Sequence, residues 1–409
     1  MSERLAPNQR RLLLSIYVPP ILVGLCKGMV LPVLPLFALS FEVSYGLVGA
    51  LLAAQGMGNL ASDLPAGVAM RRLGCKRSMV LGGVIIALSG LAMFFAQTLW
   101  EAIAYRLISG AGLGLWNISR HAYITDLVRI QARGRMNAGL GGVGRITAFV
   151  GPLTGGIIAG SLGLQVPFLI YGGVASLAVL ATLGLVFSDS VSGSARRGDT
   201  PVGLRTVLRQ NRTILMRAGT GALMAQTIRA ARNVIVPLFA AEQLGLDAKD
   251  VGVIISASYA IDMLLFMPAG IIMDRFGRKF AYVPSFLIQS SAMAVIPFAD
   301  SFTSLLAATL ALGAGNGIGS GTMLTLGADL SPPQARGEFL GIWRFIGDSG
   351  HAAGPLIVGR AADLLGLMAT PFIVAAIGLL GAGVLGLLVP ETLVRDESVA
   401  KAKPVEGSS

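Results

Sequence analysis

Apolar residues gather into twelve runs, each near the roughly 20 residues that a helix needs to cross a bilayer. They fall at 12–39, 46–69, 78–98, 100–127, 137–162 and 166–188, then at 213–240, 250–273, 281–299, 303–330, 338–362 and 367–389. Polar residues fill short gaps between them, except over 189–212, a stretch rich in Ser, Gly and Arg. The pattern predicts an all-α membrane protein of twelve transmembrane helices in two pseudo-symmetric six-helix halves around a central cavity. The amino-terminal half covers 1–188 and the carboxy-terminal half 213–389, with a cytoplasmic linker over 189–212 and a polar cytoplasmic tail over 390–409. The linker has the composition of a short amphipathic helix lying on the membrane surface.

The division into halves rests on a repeat. Leu64-Pro65-Ala66-Gly67 through Arg72, Gly74 and Lys76 returns in register as Met267-Pro268-Ala269-Gly270 through Arg275, Gly277 and Lys279. The same offset carries Gly110, Gly112 and Gly114 onto Gly313, Gly315 and Gly317, Asp126 onto Asp329, and Gly151-Pro152 onto Gly354-Pro355. One helical unit has been built twice. In a membrane, two such units facing one another across a cavity are the architecture of a secondary transporter.

Composition agrees. Hydrophobic residues make up 54% of the chain and charged residues 13%, against about 25% charged in soluble domains, and mean hydropathy is +0.73. The formal net charge of +11 reflects topology rather than nucleic-acid binding. Arg71, Arg72, Lys76, Arg77, Arg129, Arg133, Arg135, Arg196, Arg197, Arg205, Arg275, Arg278, Lys279 and Arg336 share one side of the membrane. Glu42, Glu101, Glu242, Asp247, Asp250 and Asp300 share the other. The basic side is cytoplasmic under the positive-inside rule, which puts both termini inside a cytoplasmic (inner) membrane. Arg10 and Arg11 precede an apolar run too long for a signal peptide.

The two cysteines, Cys26 and Cys75, give no disulfide framework or metal-ligand spacing, and there are only two histidines. No G-x-S-x-G or H-E-x-x-H constellation supports an enzyme such as a membrane-bound transferase. No cofactor and no metal are expected, and the partners expected of a monomer here are a small-molecule substrate, protons and membrane lipid.

Three segments carry a family resemblance. Gly270-Ile-Ile-Met-Asp274-Arg275-Phe-Gly277-Arg278-Lys279 resembles the signature loop between the second and third helices of each half in the major facilitator superfamily. Arg106-Leu-Ile-Ser-Gly110-Ala-Gly112 resembles that family's RxxxG motif. Gly151-Pro152-Leu-Thr-Gly155-Gly156 resembles the core of a motif in its drug:proton antiporter branch, with Thr147 where a glycine is expected. The resemblance implies that Asp274, Arg275, Gly277 and Arg278 form a cytoplasmic latch, and that Arg106 serves proton coupling. In the first half Arg72 and Gly74 keep the latch pattern, but Arg71 replaces its aspartate and Cys75 its first basic residue. Pro152 removes a backbone hydrogen bond and the glycines thin the helix, so Gly151 and Pro152 mark a span that bends and packs closely.

Ionisable groups inside a span are costly and each is a site candidate. Aligning Pro35-Leu36-Phe37-Ala38 with Pro237-Leu238-Phe239-Ala240 sets Lys27 opposite Arg229. Two cations facing one another would clamp an anion, as the organophosphate exchangers of the same superfamily are similar in doing; alternatively each pairs with Asp262 or Asp348 and holds the fold. Arg232 lies one turn from Arg229, and Trp116 and Asn117 are cavity candidates. Arg120 is expected to be structural, pairing with Asp126 or a lipid phosphate. Asp262, Asp348 and His351 can change charge and so carry protons, Asp348 and His351 on one helix face; Arg344, four residues before Asp348, can pair with it instead. Asp63, beside the cytoplasmic loop, suits the latch. Arg145 and Asp262 lie about 15 and 18 Å in from the same membrane edge, at about 1.5 Å per residue, where a cross-half ion pair could gate access.

These features point to a proton-coupled exporter, an antiporter of a small organic, anionic or amphipathic molecule, working by alternating access. A symporter or exchanger importing a small organic anion is the alternative.

Overall fold

The computed structural model describes residues 7–127, 130–187 and 204–393. Most of the linker, the tail beyond Leu393, and the side chains of Asp126, Arg133 and Arg135 lie outside the described residues.

The first half contains α1 (Pro7–Val30), α2 (Val33–Leu39), α3 (Tyr45–Leu73), α4 (Cys75–Phe94), α5 (Leu99–Leu127), α6 (Ile130–Leu162) and α7 (Val166–Leu185). The short α8 (Leu204–Gln210) precedes the second half: α9 (Arg212–Glu242), α10 (Ala248–Arg275), α11 (Lys279–Val295), α12 (Phe302–Ile318), α13 (Thr322–Leu330), α14 (Arg336–Leu365) and α15 (Thr370–Gly383). Since α1 with α2, and α12 with α13, each form one broken span, twelve crossings result, six per half.

The repeat is visible in the packing. α1 lies against α6 and α7 as α9 lies against α14 and α15, and α4 contacts α5 and α7 as α11 contacts α12 and α15. Small residues permit the closest approaches. Gly110 abuts the Gln55 carbonyl and Gly112 the Gly82 carbonyl; their repeat-mates Gly313 and Gly315 abut the carbonyls of Ser258 and Ser285, themselves repeat-mates of Gln55 and Gly82. Without a hydrophobic drive between helices in lipid, such backbone contact supplies much of the cohesion.

Both broken spans have a local cause. Between α1 and α2 the chain passes through Pro32, which has no N–H to give, and Pro35 removes a second donor one turn on. The sequence pattern predicts one continuous helix over 303–330, but the span breaks between α12 and α13. Gly321 there adopts φ 80°, a left-handed conformation open to glycine at little cost.

The halves meet through α3 with α14 and α6 with α10. Towards the acidic-loop end the contact is tight. A Cβ on Gly156 would overlap the Gly252 backbone, and one on Gly359 the Tyr45 backbone. The Tyr45 hydroxyl donates to Glu242 at 3.1 Å, and the Gly46 N–H donates to Asp363 at 3.0 Å. Towards the basic end, Gly141, Gly142 and Gly144 on α6 and Gly337 and Gly341 on α14 face open space. Among the described residues the halves are packed together at the acidic end and stand apart at the basic end.

Candidate functional site

Between the halves lies a cavity of about 490 Å³, within the roughly 300–1,000 Å³ of small-molecule sites. Eight helical spans among the described residues are apolar enough to cross a membrane on composition alone. α3, α5, α9 and α14 are not among them, because they carry the ionisable and polar residues of the interior. All four contribute to the cavity wall, with α1, α6 and α10.

The charged side chains on that wall are Lys27, Arg106 and Arg120. All three come from the first half and all are cations. None makes a hydrogen bond or ion pair among the described residues. Arg120, Arg106 and Asp348 are charged neighbours of Lys27. Asn117, Gln55, Asn233 and Tyr259 add neutral polar groups, and His351 of the second half faces the cavity with Lys27, Asp348 and Arg229 as its charged neighbours. Trp116 backs the wall and is 1% exposed, so its ring acts chiefly in packing.

Arg229 is placed differently from its repeat-mate Lys27. Its guanidinium donates to Gln226 Oε1 at 3.0 Å and to the Gly319 carbonyl at 3.1 Å, so it is engaged at the break of the tenth span. Arg232 is buried, its guanidinium over the Tyr259 ring at 4.7 Å. The two-base clamp is therefore not assembled in this conformation. Neither Lys27 nor Arg229 is ion-paired with Asp262 or Asp348 among the described residues. Asp348 instead pairs with Arg344 at 3.4 Å, as the spacing on one helix face allows.

Arg145 does reach across the halves, but not to Asp262 directly. It hydrogen-bonds the Ser320 hydroxyl in the same break, and its guanidinium stacks on Phe266 at 3.8 Å. Asp262 is buried, accepts from Asn316 Nδ2 at 2.9 Å, and has Arg145 and Arg229 as charged neighbours. The cross-half ion pair expected from helix depth is thus replaced here by a hydroxyl and an aromatic face, which Asp262 overlooks.

Gly151 abuts Gly28 of α1 and Gly155 abuts Met29, while Gly156 meets α10 of the other half. The G-P-x-x-G-G segment is therefore the seam along which α6 joins both halves. Asp63 has Arg344 and Asp348 of α14 as charged neighbours across the halves.

At the basic end, Arg278 links three helices. It pairs with Asp274 at 3.3 Å and with Asp329 of α13 at 3.0 Å. Gly277 and Gly74 both turn the chain with positive φ, 122° and 82°, so the turn favours glycine at each, and at Gly277 a Cβ would also meet the Glu391 carboxylate. Lys279 Nζ donates to the Gly386 carbonyl at 2.8 Å, and its repeat-mate Lys76 to the Leu183 carbonyl at 2.8 Å. Arg275 lies over Phe276 at 5.6 Å. Arg72 is exposed and makes no hydrogen bond or ion pair among the described residues.

Sequence reasoning missed Glu391, whose carboxylate accepts the backbone N–H groups of Arg278 and Lys279. It also missed Arg120 as a cavity cation: the side chain of Asp126, one of its two expected partners, lies outside the described residues, and Arg120 lines the wall. Gln55, Asn233 and Tyr259 carried no signal beyond being polar groups in apolar runs.

The model of the Major Facilitator Superfamily matches residues 21–228 and again 218–407. Multidrug resistance protein 2 of Bacillus subtilis (strain 168) is 25% identical over 284 residues, 66% of this chain and 69% of that protein. The crystal structure of the nucleoside transporter NupG superposes with a TM-score of 0.75 at 12% identity, over 92% of this chain and 99% of that one. That of a D-xylose-proton symporter does so with a TM-score of 0.72 at 18% identity, over 92% and 98%.

Proposed function

The chain belongs to the Major Facilitator Superfamily, and on that premise we propose that it is a proton-coupled exporter of a small organic anion, working by alternating access. The observation that carries this reading is the cavity wall itself, where Lys27, Arg106 and Arg120 have no carboxylate partner among the described residues. Uncompensated cations between membrane helices are expensive, and a substrate anion would offset that cost. The cavity opens at the basic end, which the positive-inside rule assigns to the cytoplasm, so an anion loads from there. Similarity to a multidrug resistance protein supports the outward direction.

Arg229 completes the site in the other conformation, when the tenth span moves and frees its guanidinium from the Gly319 carbonyl. His351 and Asp348 are the proton carriers of this reading. His351 faces the cavity between the charges of Lys27, Asp348 and Arg229, so an arriving anion alters its field directly.

The test is transport in proteoliposomes with an imposed proton gradient. Organic anions should accumulate against their own gradient, and a protonophore should abolish this. Accumulation that runs down the proton gradient rather than against it would assign the importing symporter instead. Movement indifferent to protonophore and to sodium would leave a facilitator.

A further inference from the structure

We propose that the anion site of this cavity belongs to the first half alone in the conformation open at the basic end, and that it takes an organic dianion. The inference rests on the organic-anion reading above and assigns Arg106 and Arg120 as contacts of the substrate.

The argument is one of charge placement. Among the described residues no carboxylate lines the cavity, and the cations that do are Lys27 on α1 and Arg106 and Arg120 on α5. The only carboxylate counted among the charged neighbours of Lys27 is Asp348, and that group already holds Arg344 at 3.4 Å. From the second half the wall offers His351, Asn233 and Tyr259, none bearing a fixed charge. Arg229 and Arg232 do not line it; the first holds Gln226 and Gly319 and the second lies behind Tyr259. An anion entering this cavity therefore meets fixed positive charge on one side and neutral hydrogen-bonding groups on the other.

Spacing gives the number of charges. Arg106 and Arg120 stand fourteen residues apart on one helix, about 21 Å along its axis, while Lys27 has both as charged neighbours. The three form a ladder with Lys27 in the middle rather than one cluster. A single negative charge at Lys27 leaves most of that field uncompensated. Two negative charges, shared between Lys27 and the arginine above or below it, match the ladder better and let the anion pass from Arg120 at the mouth to Arg106 at the closed end. Arginine suits both ends because its planar fork binds phosphate or carboxylate through paired hydrogen bonds.

Phenyl phosphate and benzenesulfonate, both a single ring bearing one tetrahedral oxyanion, carry two and one negative charges respectively at mildly alkaline pH. Their binding to the purified full-length protein in nanodiscs, measured by calorimetry, tests the proposal. Wild-type protein should bind phenyl phosphate about tenfold or more tightly than benzenesulfonate. Lys27→Gln should weaken phenyl phosphate by about tenfold, and Arg106→Gln with Arg120→Gln together by about as much, with the paired lysine substitutions recovering part of the loss. Arg229→Gln should cost less than any of these. Unliganded melting temperatures identify misfolded variants, for which the lysine substitutions then decide. Equal binding of the two probes overturns the dianion. Losses confined to Lys27 and Arg229 overturn the first-half site but leave the organic-anion reading standing. If wild-type protein binds neither probe, both fall.

Discussion

Arg229 donates to the Gly319 carbonyl at 3.1 Å, across the point where the tenth span breaks. A broken helix leaves carbonyls without intrahelical donors, and in a membrane interior those must find another partner. Arg229 and the Thr322 hydroxyl, at 2.7 Å, supply two. Arg229→Lys keeps the charge but cannot serve Gln226 and Gly319 together. It should lower stability by about 0.5–1.5 kcal/mol, the net worth of one hydrogen bond, as read from the melting temperature. A melting temperature equal to wild type would mean that the break needs no brace.

Glu391 gives a pH-dependent prediction. Its partial burial favours the neutral acid, but the N–H groups of Lys279, Arg278, Leu393 and Thr392 outweigh this and hold its carboxyl below the ordinary glutamate value of 4.5. A group depressed on folding stabilises above its unfolded pKa and loses that contribution as pH falls through the folded one. Glu391→Gln should therefore melt below wild type at neutral pH, by about 1 kcal/mol as for a lost helix cap. The gap should close only below the ordinary glutamate range. A gap that is the same at every pH would show that the carboxylate charge is irrelevant.

Twelve spans, two halves and the turn at the basic end were legible because they depend on local and periodic signals: apolar length, a repeat in register, and Gly277 where the chain turns. Individual partners were not. Helix depth put Arg145 and Asp262 at one level, but depth says nothing of azimuth, and Arg145 turned to Ser320 and Phe266 instead. The break of the tenth span escaped because Gly319 and Gly321 also suit a continuous membrane helix. Arg120 was expected to pair with Asp126, whose side chain lies outside the described residues, or with lipid phosphate; its place on the cavity wall is a matter of tertiary packing, which a sequence does not display. Glu391 went unread because its contacts reach more than a hundred residues back along the chain.

At the acidic end the halves meet in backbone contact between Gly156 and Gly252. Gly156→Val places a branched side chain where no volume exists, and overpacking of this kind costs about 1–3 kcal/mol. The cost falls only on the conformation closed at that end, so the variant should shift towards the opposite one. Cysteines at 46 and 363, on the two halves, should crosslink readily in otherwise wild-type protein and poorly in the variant. Undiminished crosslinking would mean that the glycine contact does not control closure.

Arg145 of the first half has Asp262 of the second as a charged neighbour. The guanidinium of Arg145 lies flat on Phe266 and reaches Ser320, while the carboxylate of Asp262 is held by Asn316. A stacked cation of this sort is worth about 0.5–2 kcal/mol when desolvated. A double-mutant cycle isolates such a pair from its surroundings. The cycle between Arg145→Gln and Phe266→Leu should give a coupling in that range for unfolding. The cycle between Arg145→Gln and Asp262→Asn should give less in the conformation open at the basic end, because the two groups there feel one another's field without a direct bond. The order should reverse in protein trapped open at the acidic end if the carboxylate captures the guanidinium as access changes. The charge exchange of Arg145→Asp with Asp262→Arg would then restore transport that either single change loses. Equal couplings in both trapped states, with no restoration, would reduce Arg145 to a brace on the tenth span and leave proton-dependent gating to His351 and Asp348.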